Sequence, residues 1–272
     1  MWDMIVKTIP VVVDRIREDR VLDNMTIRDD IFSILEKHCT VIYYPLHDEK
    51  NSGFHMKRFI REKLEDIVYI NTAKPIAEQV FTAAHELGHV WEVAKQVMVE
   101  LGENEAVSEE LEERIVNRFA AELLMPEKEF IKTFKAYMEK VSLGAEFIKF
   151  DDLIRVVVMQ MNDFMVPYEA VRRRLIETDR ISKQAGDILK ANENDVLALV
   201  ASFSKEQNTI LDRVTEKKAI PGLRDMVEKA ERGNLLDEYT ICKIKKDFDL
   251  EELYFTDVVV KLGGEGEENG KS

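Results

Sequence analysis

Apolar residues recur at helical spacing through Ile76, Val80, Ala84, Leu87 and Trp91, which predicts an amphipathic helix with one buried stripe. Pro75 suits its first turn, where a missing N–H costs nothing. A second and broader apolar face runs through Ile115, Val116, Phe119, Ala120, Leu123 and Leu124, and Pro126 stops that helix. Ala120 and Ala121 are small enough to let the two helices approach closely. Upstream, Val11–Asp19 and Ile27–Cys39 read as helices. Val41–Tyr44 and Ile67–Asn71 are the strong strand runs, β-branched and aromatic, with Asn51-Ser52-Gly53 a turn and Phe54-His55-Met56 a further short strand. A helix over Glu127–Lys140 follows, then Asp151–Phe164, a turn at Val166-Pro167 and Tyr168–Ile176. From Ser182 to about Phe255 the pattern is helical, broken near Ile220-Pro221-Gly222 and Gly233-Asn234. A small sheet followed by many helices is an α+β arrangement.

The polar positions carry the chemistry. His85-Glu86-Leu87-Gly88-His89 sets two imidazoles one helical turn apart, on the side of the helix opposite its apolar stripe. Residues i and i+4 share a face, so both can grip one metal ion. A third protein ligand with the fourth position open makes such a site catalytic rather than structural. Glu86 stands beside the pair as a general base. No histidine follows His89, so the third ligand is sought among downstream carboxylates. Glu113 shares the angle of Val116, Ala120 and Leu124, where a buried carboxylate needs a partner or a metal; Glu109, one turn earlier, is the runner-up. Asn117 is placed to hydrogen-bond a ligand histidine. His38, His47, His55, Tyr43 and Tyr44 are weaker candidates for stabilising an oxyanion, and a structural role suits each better.

Phe81-Thr82-Ala83-Ala84-His85-Glu86-Leu87-Gly88-His89, followed by Glu113, Asn117 and Phe119-Ala120-Ala121-Glu122-Leu123-Leu124-Met125-Pro126, resembles the ImmA/IrrE family of metallo-endopeptidases. The resemblance is densest over Ile67–Pro126 and extends from about Thr26 to Ile181, with Val116 a departure where the family more often has alanine. It implies a minimal zincin-like domain with His85, His89 and Glu113 as metal ligands and Glu86 as base. It further implies Zn²⁺ as cofactor, with Mn²⁺ or Fe²⁺ as alternatives, and a helix-turn-helix repressor as protein substrate. The expected organisation is an N-terminal helical extension (1–25), the zincin-like metallopeptidase domain (26–140), a helix-turn-helix-like segment (141–181), a helical C-terminal region (182–256) and a disordered tail (257–272). By analogy with zincins, Ile67–Asn71 is the candidate strand for pairing with an extended substrate, although an ordinary structural strand suits it as well.

Composition narrows the partners. A net charge of −14 over 272 residues argues against nonspecific nucleic-acid binding. Arg172-Arg173-Arg174 admits a recognition-helix reading, but a packed helix with a solvated basic side is favoured. Cys39 and Cys242 make no disulfide framework, and Met1–Lys7 lacks the basic start and apolar core of a signal peptide, so a cytoplasmic enzyme is expected. No run reaches the roughly 18 apolar residues of a membrane span. The rivals to a peptidase are a regulator that senses metal or binds a repressor without cutting it, and a DNA-binding regulator acting through the Arg172 helix.

Overall fold

The computed structural model describes residues 1–20, 26–47, 50–60, 62–103, 107–142 and 148–250. The expected tail over 257–272 lies outside the described residues. Two compact units divide at Pro221/Gly222, where the sequence pattern breaks.

The first unit opens with α1 (Trp2–Arg20), α2 (Asp30–His38), β1 (Thr40–Tyr44), β2 (Gly53–Ile60) and β3 (Lys63–Asn71). It continues with α3 (Ile76–Val90), α4 (Val93–Glu100), α5 (Glu109–Leu124) and α6 (Glu127–Ser142). Next come α7 (Phe150–Phe164), α8 (Tyr168–Glu177), α9 (Lys183–Ala191) and α10 (Glu193–Glu206). Helix α1 starts well before the predicted Val11 and runs through Pro10. Its stripe Ile5, Ile9, Val12, Val13 and Ile16 is wholly buried, so packing outweighs the lost backbone bond.

The sheet order is β1-β3-β2, with β1 parallel and β2 antiparallel to β3. The hairpin β2–β3 outgrows the short strand predicted at Phe54–Met56. Lys57 faces Asp66 and Arg58 faces Glu65 across it, opposite charges that hold strands whose outer halves lack an apolar pattern. Strand β3 lies in the centre with both edges taken. That corrects the expectation that Ile67–Asn71 pairs with substrate. The outer edge of β1 is also occupied, because Tyr43 and Ala219 exchange backbone hydrogen bonds at 2.9 Å. Among the described residues β2 has one strand neighbour, so the free edge belongs to β2.

Helices α2 and α3 cover one face of the sheet, and Val41, Val68, Ile70, Val80, Ala84, Leu87 and Phe119 share one core. Helix α3 meets α5 through Gly88. A Cβ there would stand 2.8 Å from Val116 Cγ1 and 3.0 Å from a Phe119 ring carbon. Gly88 against Val116 and Phe119 therefore allows a close approach of the two helices. The first N–H groups of α3, on Ile76 and Ala77, donate to the carbonyls of Arg213 and Leu211, a chain segment far away in sequence.

Helices α7 and α8 follow α6 with a three-residue turn between them. Arg172 and Arg174 point inwards: Arg172 bonds Glu169 and the Gly186 carbonyl, and Arg174 bonds Glu122 and the Met125 carbonyl. Arg173 alone of the three is exposed, and it pairs with Glu169. The helix packs, but the expected solvated basic side does not form, because Arg172 and Arg174 are buried against their partners. The second unit contains α11 (Leu223–Arg232) and α12 (Glu238–Asp247), each with one buried apolar residue, Val227 and Ile241. No helix among the described residues is long and apolar enough to cross a membrane.

Candidate metal centre

His85 and His89 stand on consecutive turns of α3 and Glu113 on α5, and they form a donor cluster among the described residues. The two Nε2 atoms are 3.2 Å apart. Glu113 places Oε2 3.3 Å from His85 Nε2 and Oε1 3.2 Å from His89 Nε2. A tetrahedral ion with bonds of about 2.0 Å has ligands about 3.3 Å apart, so this triangle fits one zinc-sized cation with a fourth position open. Gly88 matters here, since the α3–α5 spacing it allows brings Glu113 to the histidines.

Glu113 was selected for a buried-face position, and that reason fails. Its side chain is 48% exposed and lies at the edge of α5 facing the histidines. The helix–helix crossing brings Glu113 to the histidines all the same. Glu109, the runner-up, is not in the cluster. Sequence reasoning missed Glu112, which accepts from His89 Nδ1 at 3.2 Å. That bond fixes the tautomer with the Nε2 lone pair turned to the centre. The three glutamates flanking it, Glu109, Glu110 and Glu113, hid this residue, and only its position one before Glu113 hinted at it. Asn117 donates its amide to the Glu113 carbonyl at 2.8 Å and has its side chain within reach of His85.

Glu86 is 5% exposed. Burial, and then the charge of Glu113, push its carboxyl up to about 8. Burial and His89 hold His85 below the ordinary imidazole value, against opposing pulls from Glu113 and Asn117. Gly53 of β2 comes close to Glu86: a Cβ on it would meet Thr82 Cγ2 and the Tyr69 carbonyl at 2.6 Å, with Glu86 Oε1 at 3.7 Å. The residue read as part of a turn is what lets β2 lie against α3 at the centre. His55 is the one oxyanion candidate that reaches the site. Its ring stacks on His89 with centroids 6.0 Å apart, and Nε2 bonds Asp66 at 2.7 Å. His38 packs on Trp91, Tyr43 donates to Glu36, and His47 is exposed. Lys57 ties β2 to the start of α4, just past α3, through Glu92 at 2.8 Å.

Two imidazoles, a carboxylate from a second helix and a buried glutamate between them define a metallopeptidase-type centre. The profile of the IrrE N-terminal-like domain, peptidase family M78, matches residues 36–176, and the chain belongs to that family. No curated protein matches the chain. Among solved structures, a Mycobacterium tuberculosis transcriptional regulator superposes with a TM-score of 0.40 at 14% identity, over 62% of this chain and 46% of its own length. At that score the likeness carries no argument about function.

The donor geometry ranks the ligands. His89→Ala and Glu113→Gln are expected to lose most metal affinity, and Glu112→Gln and Asn117→Ala about 10- to 100-fold. Glu109→Gln is expected to lose none. Competition against a chromophoric chelator measures each, and a larger loss at Glu109 than at Glu113 would contradict the site.

The metal-free protein carries a second signature. Glu86 binds its proton in the folded chain up to about pH 8, whereas the ordinary carboxyl releases it near 4.5. The stabilisation from this group is full below pH 4.5 and is lost as pH rises to about 8, at about 1.4 kcal/mol per pH unit. Glu86→Gln cannot release a proton. Urea unfolding of the metal-free proteins is therefore expected to favour the variant over wild type by a few kcal/mol more at pH 8 than at pH 4.5. Parallel pH profiles would show that Glu86 is not protonated in the fold.

Proposed function

We propose that this chain is a zinc-dependent endopeptidase that makes a site-specific cut in a helix-turn-helix transcriptional repressor in the cytoplasm. The observation that carries the reading is the triangle of donors 3.2–3.3 Å apart with Glu86 buried beside it. His85, His89 and Glu113 would hold the ion. Zinc bound there polarises a peptide carbonyl and makes water a nucleophile near neutral pH; Mn²⁺ or Fe²⁺ suits the same donors.

Everything else is the work of the chain. Glu86 takes the proton of the attacking water on its carboxylate and delivers it to the leaving amine. Its burial keeps competing solvent off that oxygen. Asn71 N–H donates to the Ser52 carbonyl at 2.9 Å. By antiparallel alternation the backbone groups of Gly53, His55 and Lys57 then point away from β3, where an extended substrate can add as a strand. This zincin-like arrangement of free strand edge and metal helix replaces the role first expected of Ile67–Asn71. The inward pairing of Arg172 and Arg174 and the charge of −14 support a protein rather than DNA as partner.

The test is proteolysis. The zinc-loaded full chain, incubated with a helix-turn-helix repressor encoded beside it, should give two discrete fragments by mass spectrometry, and a chelator should stop the cut. A repressor that binds and stays intact would sink the peptidase reading in favour of a non-catalytic regulator.

A further inference from the structure

A cavity of about 710 Å³ adjoins the metal centre, and Trp2, Phe81, Arg114, Asn117, Arg118 and Arg173 are among its walls. Two of these tie it to the site. Phe81 lies one turn before His85 on α3, and Asn117 is the residue whose side chain reaches His85. The cavity therefore lies beside the helices that carry the candidate ligands, and α1 and α8 supply much of the rest of its wall.

The lining has a definite chemistry. Arg114 stacks its guanidinium over the Trp2 ring at 3.9 Å. Stacking engages the flat face of the group and leaves its in-plane N–H donors free, in the fork that matches a carboxylate. Arg118 pairs with Glu177 and keeps a buried Nε with no hydrogen-bond partner among the described residues. Arg173 stands at the rim, 62% exposed. Two of the three acids of this wall are already engaged. Glu169 meets both Arg172 and Arg173, and Glu177 meets both Arg118 and Arg174; Asp3 adds one more carboxylate at the edge. Among the lining residues, the three guanidiniums of Arg114, Arg118 and Arg173 stand with the three carboxylates of Asp3, Glu169 and Glu177. Glu177 takes up Arg118 and Glu169 takes up Arg173, so Arg114 is the lining guanidinium with no ion pair among the described residues.

We propose that this cavity is a specificity subsite that takes an acidic side chain of the peptide substrate, with Arg114 as its recognition residue. The proposal rests on the reading of the adjoining centre as a peptidase cleft. The apolar body of the segment lies on Trp2 and Phe81 while its carboxylate meets the edge of Arg114. An uncharged amide at that position leaves the guanidinium without its bidentate partner, and a lysine there is repelled.

The probe is an array of synthetic dodecapeptides carrying Glu, Gln or Lys at each position in turn. It is presented first to the zinc-loaded Glu86→Gln full chain as a binding assay and then to wild type as substrate. At one position relative to the cut, Glu should exceed Gln by about tenfold in binding, and Lys should fall below both. Adding Arg114→Gln should erase the preference while metal content stays unchanged, and Arg114→Glu should reverse it towards Lys. Arg173→Gln, at the rim, should weaken it less. If acidic peptides bind in an Arg114-dependent way and wild type cuts none of them, the subsite stands and the peptidase reading falls. If wild type cuts peptides with no acidic preference, or Arg114→Gln keeps the preference, the subsite is wrong and the peptidase stands. Absence of both binding and cleavage overturns the subsite as well.

Discussion

Glu86→Gln is expected to keep the metal and the proposed repressor substrate and to lose cleavage by about 10²- to 10⁴-fold, the usual contribution of a positioned acid–base group. Each factor of ten is about 1.4 kcal/mol of barrier, so the loss is on the order of 3–5 kcal/mol. Glutamine has the shape of glutamate and retains its hydrogen-bonding oxygen, but it cannot take a proton. Glu86 is not among the three clustered donors, so its replacement leaves the triangle of His85, His89 and Glu113 in place. The variant thus separates two roles that His89→Ala removes together. Repressor fragments are counted by mass spectrometry, and metal is counted by elemental analysis on the same sample. Equal cleavage by wild type and Glu86→Gln would remove Glu86 from the chemistry. Equal cellular phenotypes would favour a regulator that binds without cutting.

Arg174→Ala is expected to destabilise the first unit by about 3–5 kcal/mol, the largest effect on folding outside the apolar core. The Arg174 side chain is 0% exposed, and Nη2 lies 2.7 Å from Glu122, itself nearly buried. Its Nε donates to the Met125 carbonyl at 3.0 Å. Truncation leaves the Glu122 carboxylate in a low-dielectric interior without its ion-paired counter-charge, although Arg17 stands nearby and Glu122 still accepts from the Glu127 N–H at 3.2 Å. Replacing both partners with apolar residues, Arg174→Met with Glu122→Leu, should recover most of the loss, because no charge is then stranded. Arg173→Ala, an exposed pair, should cost within about 1 kcal/mol. Urea midpoints of the four proteins decide this; Arg174→Ala behaving like Arg173→Ala would mean the buried pair is not formed. Because Glu122 shares α5 with Glu113, the pair also anchors the helix that supplies the third donor.

Some of this was legible in residue order, and the reason is local periodicity. His85 and His89 belong to one helix whose 3.6-residue repeat puts them on one face, and Glu86 follows from the same register. The helix bearing Glu113 and Asn117 was legible in the same way, as were its stop at Pro126 and the two strong strand runs. Contacts within a helix are fixed by spacing that can be counted along the chain.

What joins one element to another was decided by packing. Glu113 meets the histidines because Gly88 lets α3 close on Val116 and Phe119, not because its angle on α5 is buried. Glu112 became a histidine partner, and Arg172 and Arg174 turned inwards, although composition marked all three as surface charge. The central place of β3, the free edge of β2 and the approach of Gly53 to Glu86 depend on strand order, which residue patterns do not encode. The sequence by itself determined the chemistry of one helix. The tertiary structure alone decided which charges from distant helices and strands meet it, since a charged side chain reads the same in sequence whether water or a partner satisfies it.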